Sequence, residues 1–469
     1  MNNREFVILL ILCLSLFIGY SSIASRPSRQ NSSIDKRLNR EIDEFKRDTL
    51  DRRIKKFGFT IILPGAVTIL KVLNVKQYML TFWKKSEVST YRVDPSESFV
   101  VFAIYEKGEI REDVLNAVKT LEGLGCSIIL VNTRKFSNSS KETISKLVFT
   151  YIERPNFGRD FGSYQDGYLW LLRHPKNLLQ GADRLLFLND SVFYSQNGLD
   201  SFFTNLISSF MPAVGATMNF QKSPHLGSFC LSLGKSVFLD KRFIRFWRKY
   251  RKSDIRAHTI KKGELAVNET ISKISKSDPP LNALFNGYEL THRLNKDEDL
   301  LRLVHDSTRR ANRSMPSIRQ NVRIAMLRED ELLERYGSDS YIERNGQDNL
   351  FLFAGTFDDG FQSYKHDVLA DEKSLYTNYK RNLAAFIGNE FEKGSQIHQN
   401  STILPYLGCP IIKLDLEYRG VTDAYDRVTI CNALTPADAA LFSKLVSSRP
   451  WGETNLSGWK LTAFQWGHL

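Results

Sequence analysis

Between residues 97 and 190 the chain repeats one pattern, an apolar run followed by an amphipathic stretch, and this restricts the fold more than any other feature. Phe99–Tyr105 is apolar throughout, as a strand buried on both faces must be. In Glu109–Leu124 the residues Val114, Leu115, Val118, Leu121 and Leu124 fall at helical spacing, and Gly125 stands where a helix-ending glycine would. Ser127–Val131 is a second apolar run. Strand, helix and strand in so short a span predict a βαβ unit, because parallel neighbours need a crossover. Leu147–Ile152 and Arg184–Leu188 read as further strands, Ser163–Arg173 and Gly198–Ser208 as helices, and Ala213–Asn219 as a strand. The expected class is α/β, a mostly parallel sheet flanked by helices. The part after residue 300 reads as more helical, with Leu332–Tyr336 and Leu375–Phe391 as helix candidates and Leu404–Leu416 strand-like.

The N-terminus differs. Phe6–Ile23 is almost continuously apolar, and Arg26, Arg29, Lys36, Arg37 and Arg40 follow it. Positive flanks stay in the cytoplasm, so residues 1–25 are expected to be a single-pass anchor rather than a cleaved signal, with the body cytoplasmic. Asp35–Lys56 is charged and free of Pro and Gly, the composition of a helical stalk. A second apolar stretch, Phe57–Leu73, holds Pro64, Gly65 and Lys71 and is a poor spanning helix; it reads as interfacial or as part of the fold. The expected layout is anchor 1–25, stalk and membrane-proximal region 26–96, main α/β domain 97–300, its C-terminal part 301–425, and tail 426–469.

The net charge is +13, which suits nucleic acid, anionic membrane or phosphorylated substrates. No zinc spacing, basic zipper or RNP-type aromatic pattern is present, so no nucleic-acid partner is expected. The basic segment Arg242–Arg256 reads as a helix with Phe243, Phe246, Trp247 and Tyr250 on one side. None of the five cysteines forms a CxxC pair, which points to reduced, packed thiols.

Two stretches carry chemistry. Asn156-Phe-Gly158-Arg159-Asp160-Phe-Gly162 lies where a strand gives way to a helix. Glycines allow close backbone approach, Arg159 offers a planar fork to phosphate, and a helix N-terminus attracts anions; a tight loop shaped by its own Arg–Asp pair is the other reading. Leu186-Phe-Leu-Asn189-Asp190-Ser191 puts a carboxylate just past an apolar strand, where a diphosphate-bound Mg²⁺ or Mn²⁺ would be held; these residue types also cap helices. His225 with Ser228, and Glu264 in Gly263-Glu264-Leu-Ala-Val-Asn268-Glu269, come next. A hydroxyl acceptor needs a base; Glu264 is the first candidate and Asp160 and His225 its rivals.

Strand, N-x-G-x-x-x-G loop, helix and carboxylate-ended strand look like the GT-A layout of nucleotide-diphospho-sugar transferases. There the second element usually carries two carboxylates, and here only Asp190 is present. The ordered set Asn156-x-Gly158-Arg159-Asp160-x-Gly162-Ser163-Tyr164, Leu188-Asn189-Asp190-Ser191, His225-Leu-Gly-Ser228-Phe229 and Phe246-Trp247 resembles the rhamnan synthesis F family. So do Gly394-x-x-x-His398-Gln-Asn-x-Thr and Gly408-Cys-Pro410-Ile-Ile-Lys413-x-Asp415. The likeness spans roughly residues 97–425. It implies a glycosyltransferase of rhamnose-containing surface polysaccharides such as lipopolysaccharide or cell-wall rhamnan; with the anchor expected from the charge flanks, its place would be the inner (cytoplasmic) membrane. Its donor would be a nucleoside-diphospho-sugar, bound through Asn156, Gly158, Arg159, Asp160 and Asn189 with metal at Asp190, and its acceptor a polysaccharide or lipid-linked glycan. A non-catalytic, membrane-anchored assembly protein on the same scaffold is the alternative, supported by the single carboxylate.

Overall fold

The computed structural model describes residues 65–305, 357–365 and 371–465, apart from residues 66, 221, 222, 393, 423, 450 and 451. The expected anchor, the charged stalk and Leu332–Tyr336 lie outside the described residues. Among the described residues no helix is long and apolar enough to cross a membrane. The chain forms two compact units: a larger one of Lys84–Lys252 and Thr259–Pro450, and a smaller one that includes residues up to Trp83 and Ser253–His258.

The larger unit is built on one sheet. Its first strands are β1 (Glu87–Thr90), β2 (Ser98–Ile104), β3 (Ser127–Asn132), β4 (Thr150–Glu153) and β5 (Arg184–Asn189). Next come β6 (Val192–Tyr194), β7 (Ala213–Gly215), β8 (Met218–Asn219), β9 (His225–Leu226), β10 (Cys230–Gly234), β11 (Asn282–Ala283) and β12 (Ile411–Lys413). The sheet order is β1-β4-β3-β2-β5-β10-β7-β11, while β6 pairs with β12 and β8 with β9. The β2–β3, β3–β4 and β2–β5 pairs are parallel, and β10 runs antiparallel to β5.

The helices α1 (Glu112–Gly123), α2 (Asn138–Ser145) and α3 (Arg159–Arg173) make the crossovers. β2, β3 and β4 step outward in one direction; α3 then carries the chain back to β5, on the other side of β2. The gap beyond the carboxyl ends of β2 and β5 is therefore the topological switch point, where open α/β sheets bind ligands.

Alternation along β2 explains why the sheet is covered on both sides. Val100, Phe102 and Ile104 pack with α1, and Phe99, Val101 and Ala103 pack with α3. Both sets are buried, as the unbroken apolar run requires. The first face is completed by α4 (Leu199–Ile207), α7 (Gly287–Lys296) and α8 (Glu372–Phe391); the second by α5 (Lys241–Lys249) and α6 (Leu265–Ile274). As expected, Phe243 and Trp247 of α5 are buried among aromatic neighbours. Cys126, Cys230 and Cys409 are buried free thiols, and Cys431 is a half-buried one.

Several boundaries differ from expectation. β1 adds an antiparallel edge to β4, so the sheet begins ahead of residue 97. The stretch read as a tail supplies Ile430, Phe442 and Val446 to a third apolar cluster with Phe193 and Ile412. Ala213–Asn219 divides into β7 and β8, and Leu404–Leu416 is a 3-10 turn at Leu404–Leu407 followed by the short β12. Helix α3 starts four residues before Ser163, because the left-handed Gly158 (φ 93°) caps it.

The close seat of α3 on the sheet depends on a missing side chain. A Cβ at Gly167 would stand 2.5 Å from Val101 Cγ1. Gly167→Ala is expected to destabilise the fold by about 1–3 kcal/mol in urea unfolding. Gly123→Ala, where an added Cβ meets nothing within 4 Å, is expected to be neutral.

Candidate active site

The loop from β4 to α3 is shaped from within. Arg154 is buried; its Nε meets Asp166 Oδ2 at 2.6 Å, its Nη1 donates to Ser163 Oγ at 3.3 Å, and its Nη2 donates to the Phe157 carbonyl. Lys252 Nζ reaches the same Asp166 at 2.5 Å. The arginine that fixes the loop is thus Arg154, outside the motif read from the sequence, while Asn156 and Arg159 are exposed. Arg159 is held at φ 52°, a left-handed conformation that costs a non-glycine residue of order 1 kcal/mol and persists only where its surroundings impose it. One residue on, Asp160 Oδ2 accepts from Asn189 Nδ2 at 3.0 Å. The loop is thereby joined to the end of β5.

Asn189-Asp190-Ser191 caps no helix: β5 turns directly into β6. The buried Asn189 accepts from the Ser191 amide (3.1 Å) and hydroxyl (2.5 Å), which holds the turn. Asp190 Oδ2 accepts from the Tyr105 amide at 2.6 Å, just past β2. Beside it stands Glu106, in ion-pair contact with Arg111 at 3.5 Å. Arg111 donates to the carbonyls of Asp190 (3.1 Å) and Val192 (2.8 Å) and pairs with Asp113 at 2.6 Å. Glu106, just past the end of β2, is thus a second carboxylate beside Asp190. Burial pushes Asp190 up to about 6 despite Arg111, with Asp160 adding to the rise. Burial, with Asp190 and Asp113 adding to it, pushes Glu106 up to about 7, again against Arg111. Two crowded carboxyls with oxygen donors fit part of the shell of a hard divalent cation, phosphate oxygens and water completing it. Among the described residues no group of three or more His, Cys, Asp or Glu side chains could hold a metal alone.

A second cluster forms where β9 meets α6. Thr259–Glu264 is π-helical, a wide turn that recurs at functional sites, and it delivers Glu264 at its end. Glu264 Oε1 meets His225 Nε2 at 3.3 Å, and Oε2 accepts from both the hydroxyl and the amide of Ser228. His225 Nδ1 lies 2.7 Å from the Ser223 carbonyl. Asn268 bonds the Leu226 backbone at 2.9 and 3.1 Å and the Glu264 carbonyl at 3.0 Å, locking the pieces together. Burial opposes charge on Glu264, but the bonds from His225 and Ser228 outweigh it and hold the carboxyl below its ordinary range.

The C-terminal segment joins the two clusters. Lys413 on β12 donates to Ser191 Oγ at 2.7 Å and lies 5.2 Å over the Phe229 ring. Among the described residues no carboxylate lies within ion-pair distance of its ammonium, although Asp415, Asp160 and Glu264 all act on it; burial wins and lowers its pKa. His398 Nε2 meets Asp415 Oδ1 at 3.4 Å, and Arg419 pairs with the same carboxylate. Of the residues singled out in the sequence, Asp160, Asn189 and Asp190 therefore meet at the switch point, and His225, Ser228 and Glu264 form one hydrogen-bonded unit. Glu106, Arg111 and Arg154 were missed. Glu106 carries the same signal as Asp190, a carboxylate just after a buried run.

No protein-family model matches the chain. Over 181 residues it is 28% identical to uncharacterized protein y4gN of Sinorhizobium fredii (strain NBRC 101917 / NGR234), covering 37% of this chain and 45% of that protein. The chain thus spans less than half the length of this curated relative. Among solved structures, core-mannan synthase A (CmsA/Ktr4) from Aspergillus fumigatus, Mn/GDP-form, aligns at TM-score 0.23 and 10% identity, over 34% of this chain and 65% of its own. The mannosyltransferase Ktr4p from S. cerevisiae in complex with GDP aligns at 0.20 and 10%, over 39% and 70%. The glycosyltransferase GlyE of Streptococcus pneumoniae TIGR4 aligns at 0.23 and 13%, over 64% and 63%. Overlaps this low establish neither a common fold nor a common activity.

The carboxyl pair has a consequence for stability. Both groups titrate higher in the folded chain than their ordinary values of 3.8 and 4.5. Between about pH 4 and 7 the folded state then binds more protons than the unfolded, so stability falls as pH rises through that window. Glu106→Gln removes one of the two groups. It is expected to gain on the order of 1 kcal/mol over wild type at pH 8 relative to pH 5, read from urea midpoints at both pH values.

Proposed function

We propose that the chain is a glycosyltransferase that moves a sugar from a nucleoside-diphospho-sugar to a polysaccharide or lipid-linked glycan. The observation that carries this reading is convergence: Glu106, Asp160, Asn189, Asp190 and Lys413 meet through β2, α3, β5 and β12 at the carboxyl edge of a parallel sheet. That edge, at a switch point, is where a nucleotide ligand is expected. Rhamnose as the sugar, and a rhamnose-containing surface polysaccharide as the product, rest on the motif resemblance alone. An inner-membrane anchor at residues 6–23 with the body in the cytoplasm rests on the charge flanks.

In this reading the diphosphate meets Arg159 at the start of α3 and Lys413 beside Ser191. Charge that grows on the departing diphosphate is stabilised by these cations, which need no reorganisation in the transition state. Glu106 and Asp190 would hold Mg²⁺ or Mn²⁺, which when bound would neutralise the same charge. The acceptor hydroxyl needs a base. Glu264 has both oxygens engaged by His225 and Ser228, and both nitrogens of His225 have close partners. Asp160 makes one side-chain bond, through Oδ2 to Asn189, and suits the role best. Glu264 and His225 then orient the acceptor side.

Calorimetry with a panel of nucleotide-sugars tests the reading, and binding of none of them overturns it. Asp160→Asn is expected to lower kcat roughly 10²- to 10⁴-fold with little change in donor Kd. Lys413→Met is expected to weaken nucleoside-diphosphate binding roughly ten- to a hundred-fold. Chelator should abolish the difference in donor binding between wild type and Asp190→Asn if the carboxyl pair acts through a metal.

A further inference from the structure

The smaller unit holds a helix that is inside out. Residues 67–82 are helical. Asn74, Gln77 and Thr81 recur at spacings of three and four, so they share one face, and all three are half-buried. Asn74 Oδ1 accepts from Ser253 Oγ at 3.1 Å and from the Asp254 amide at 2.8 Å within the same unit. The polar stripe therefore faces protein. The opposite stripe is apolar and exposed: Val72 63%, Val75 55%, Met79 67%, Phe82 57% and Trp83 85%. A helix of a soluble protein has the reverse arrangement, and a contiguous exposed apolar patch marks an interaction surface.

We propose that this helix lies in the surface of an anionic lipid bilayer, its apolar stripe sunk to the acyl boundary. Lys71, Asn74, Lys76 and Gln77 interrupt its apolar sequence, and such groups are costly at hydrocarbon depth. It lies on the membrane and does not span it. Lys71, Lys76, Lys84 and Lys85 lie on or beside it in sequence, and their charge favours acidic headgroups. Tyr78, Phe82 and Trp83 form a ring-contact group at its end, with centroids 5.4 and 5.0 Å apart, and aromatic rings of this kind settle at the lipid–water boundary. The inference does not depend on the transferase reading.

The full chain is mixed with phosphatidylglycerol-containing vesicles whose acyl chains are brominated, and tryptophan quenching is measured. Wild type is expected to lose at least twice the fluorescence that Trp83→Tyr loses. Met79→Trp in the Trp83→Tyr background is expected to restore the loss, since it returns a reporter to the same stripe. The difference isolates this helix from the apolar run at residues 6–23, which acts equally in all three proteins. Equal quenching in wild type and Trp83→Tyr overturns the proposal. So does a lipid-independent dimer, seen by sedimentation, that Met79→Glu converts to monomer, because the stripe would then be covered by a second copy of the chain.

Discussion

The arrangement of the site follows from the complete burial of β2. Its apolar residues are covered on both faces, and parallel strands occupy both its edges. A strand so enclosed can expose polar groups only where it ends. Its last buried residue is Ile104, and Tyr105 and Glu106 follow at once. The same holds for β5, whose enclosed run gives way to Asp190 and Ser191. Two neighbouring parallel strands that become polar at the same level put their carboxylates side by side. The Glu106–Asp190 pair is thus a consequence of topology, and Arg111, opening α1, is the counter-charge that makes the crowding tolerable.

Parts remote in sequence are joined to this edge by a chain of polar contacts. Asp160 bonds Asn189, Asn189 bonds Ser191, and Ser191 accepts from Lys413. The last step crosses 222 positions of sequence. β12 can make it because it pairs with β6, the strand that continues from the same turn. A change in the packing of the C-terminal segment would move the Lys413 ammonium relative to Asp160 and Glu264. Since a partly buried charge is costly to leave unmatched, the segment and the sheet edge are coupled energetically as well as sterically.

How much of this could be read in advance depended on whether the signal was local. Strands β2, β3 and β5 were legible because burial on both faces leaves an unbroken apolar run. The start of α3 was less so: a left-handed glycine cap moves it to Arg159, and periodicity alone cannot see a cap. The short strands β7, β8 and β12 carry too few residues to show alternation. At the site, Asn189 and Asp190 stood out because they end a strand, and Asp160 because it opens a helix after a glycine loop. Glu106 carries a similar mark, two residues past a buried strand, but its partner Asp190 is 84 positions away, so spacing within one segment does not reveal the pair. Lys413 was visible only as a position in a motif resemblance, because nothing near it in sequence says that β12 folds back beside Ser191.

The two acidic clusters differ in a way that bears on their chemistry. Asp190 and Glu106 are pushed up because burial and mutual repulsion exceed what Arg111 returns. Glu264 is equally enclosed yet is held down, because His225 and Ser228 donate to its charged form. Carboxyl groups whose environments separate their titration in this way have separate roles. A cation arriving beside the raised pair would favour its charged form, which suits a place where a cation and an anionic ligand enter together. The lowered Glu264 stays charged and fixed, so it orients its neighbours and is poorly suited to take a proton. Asp160 lies between the clusters, close enough to raise Asp190 and to act on Lys413. A change of charge at Asp190 or at Lys413 is therefore felt at the Asp160 carboxylate, which couples the sheet edge to the C-terminal segment.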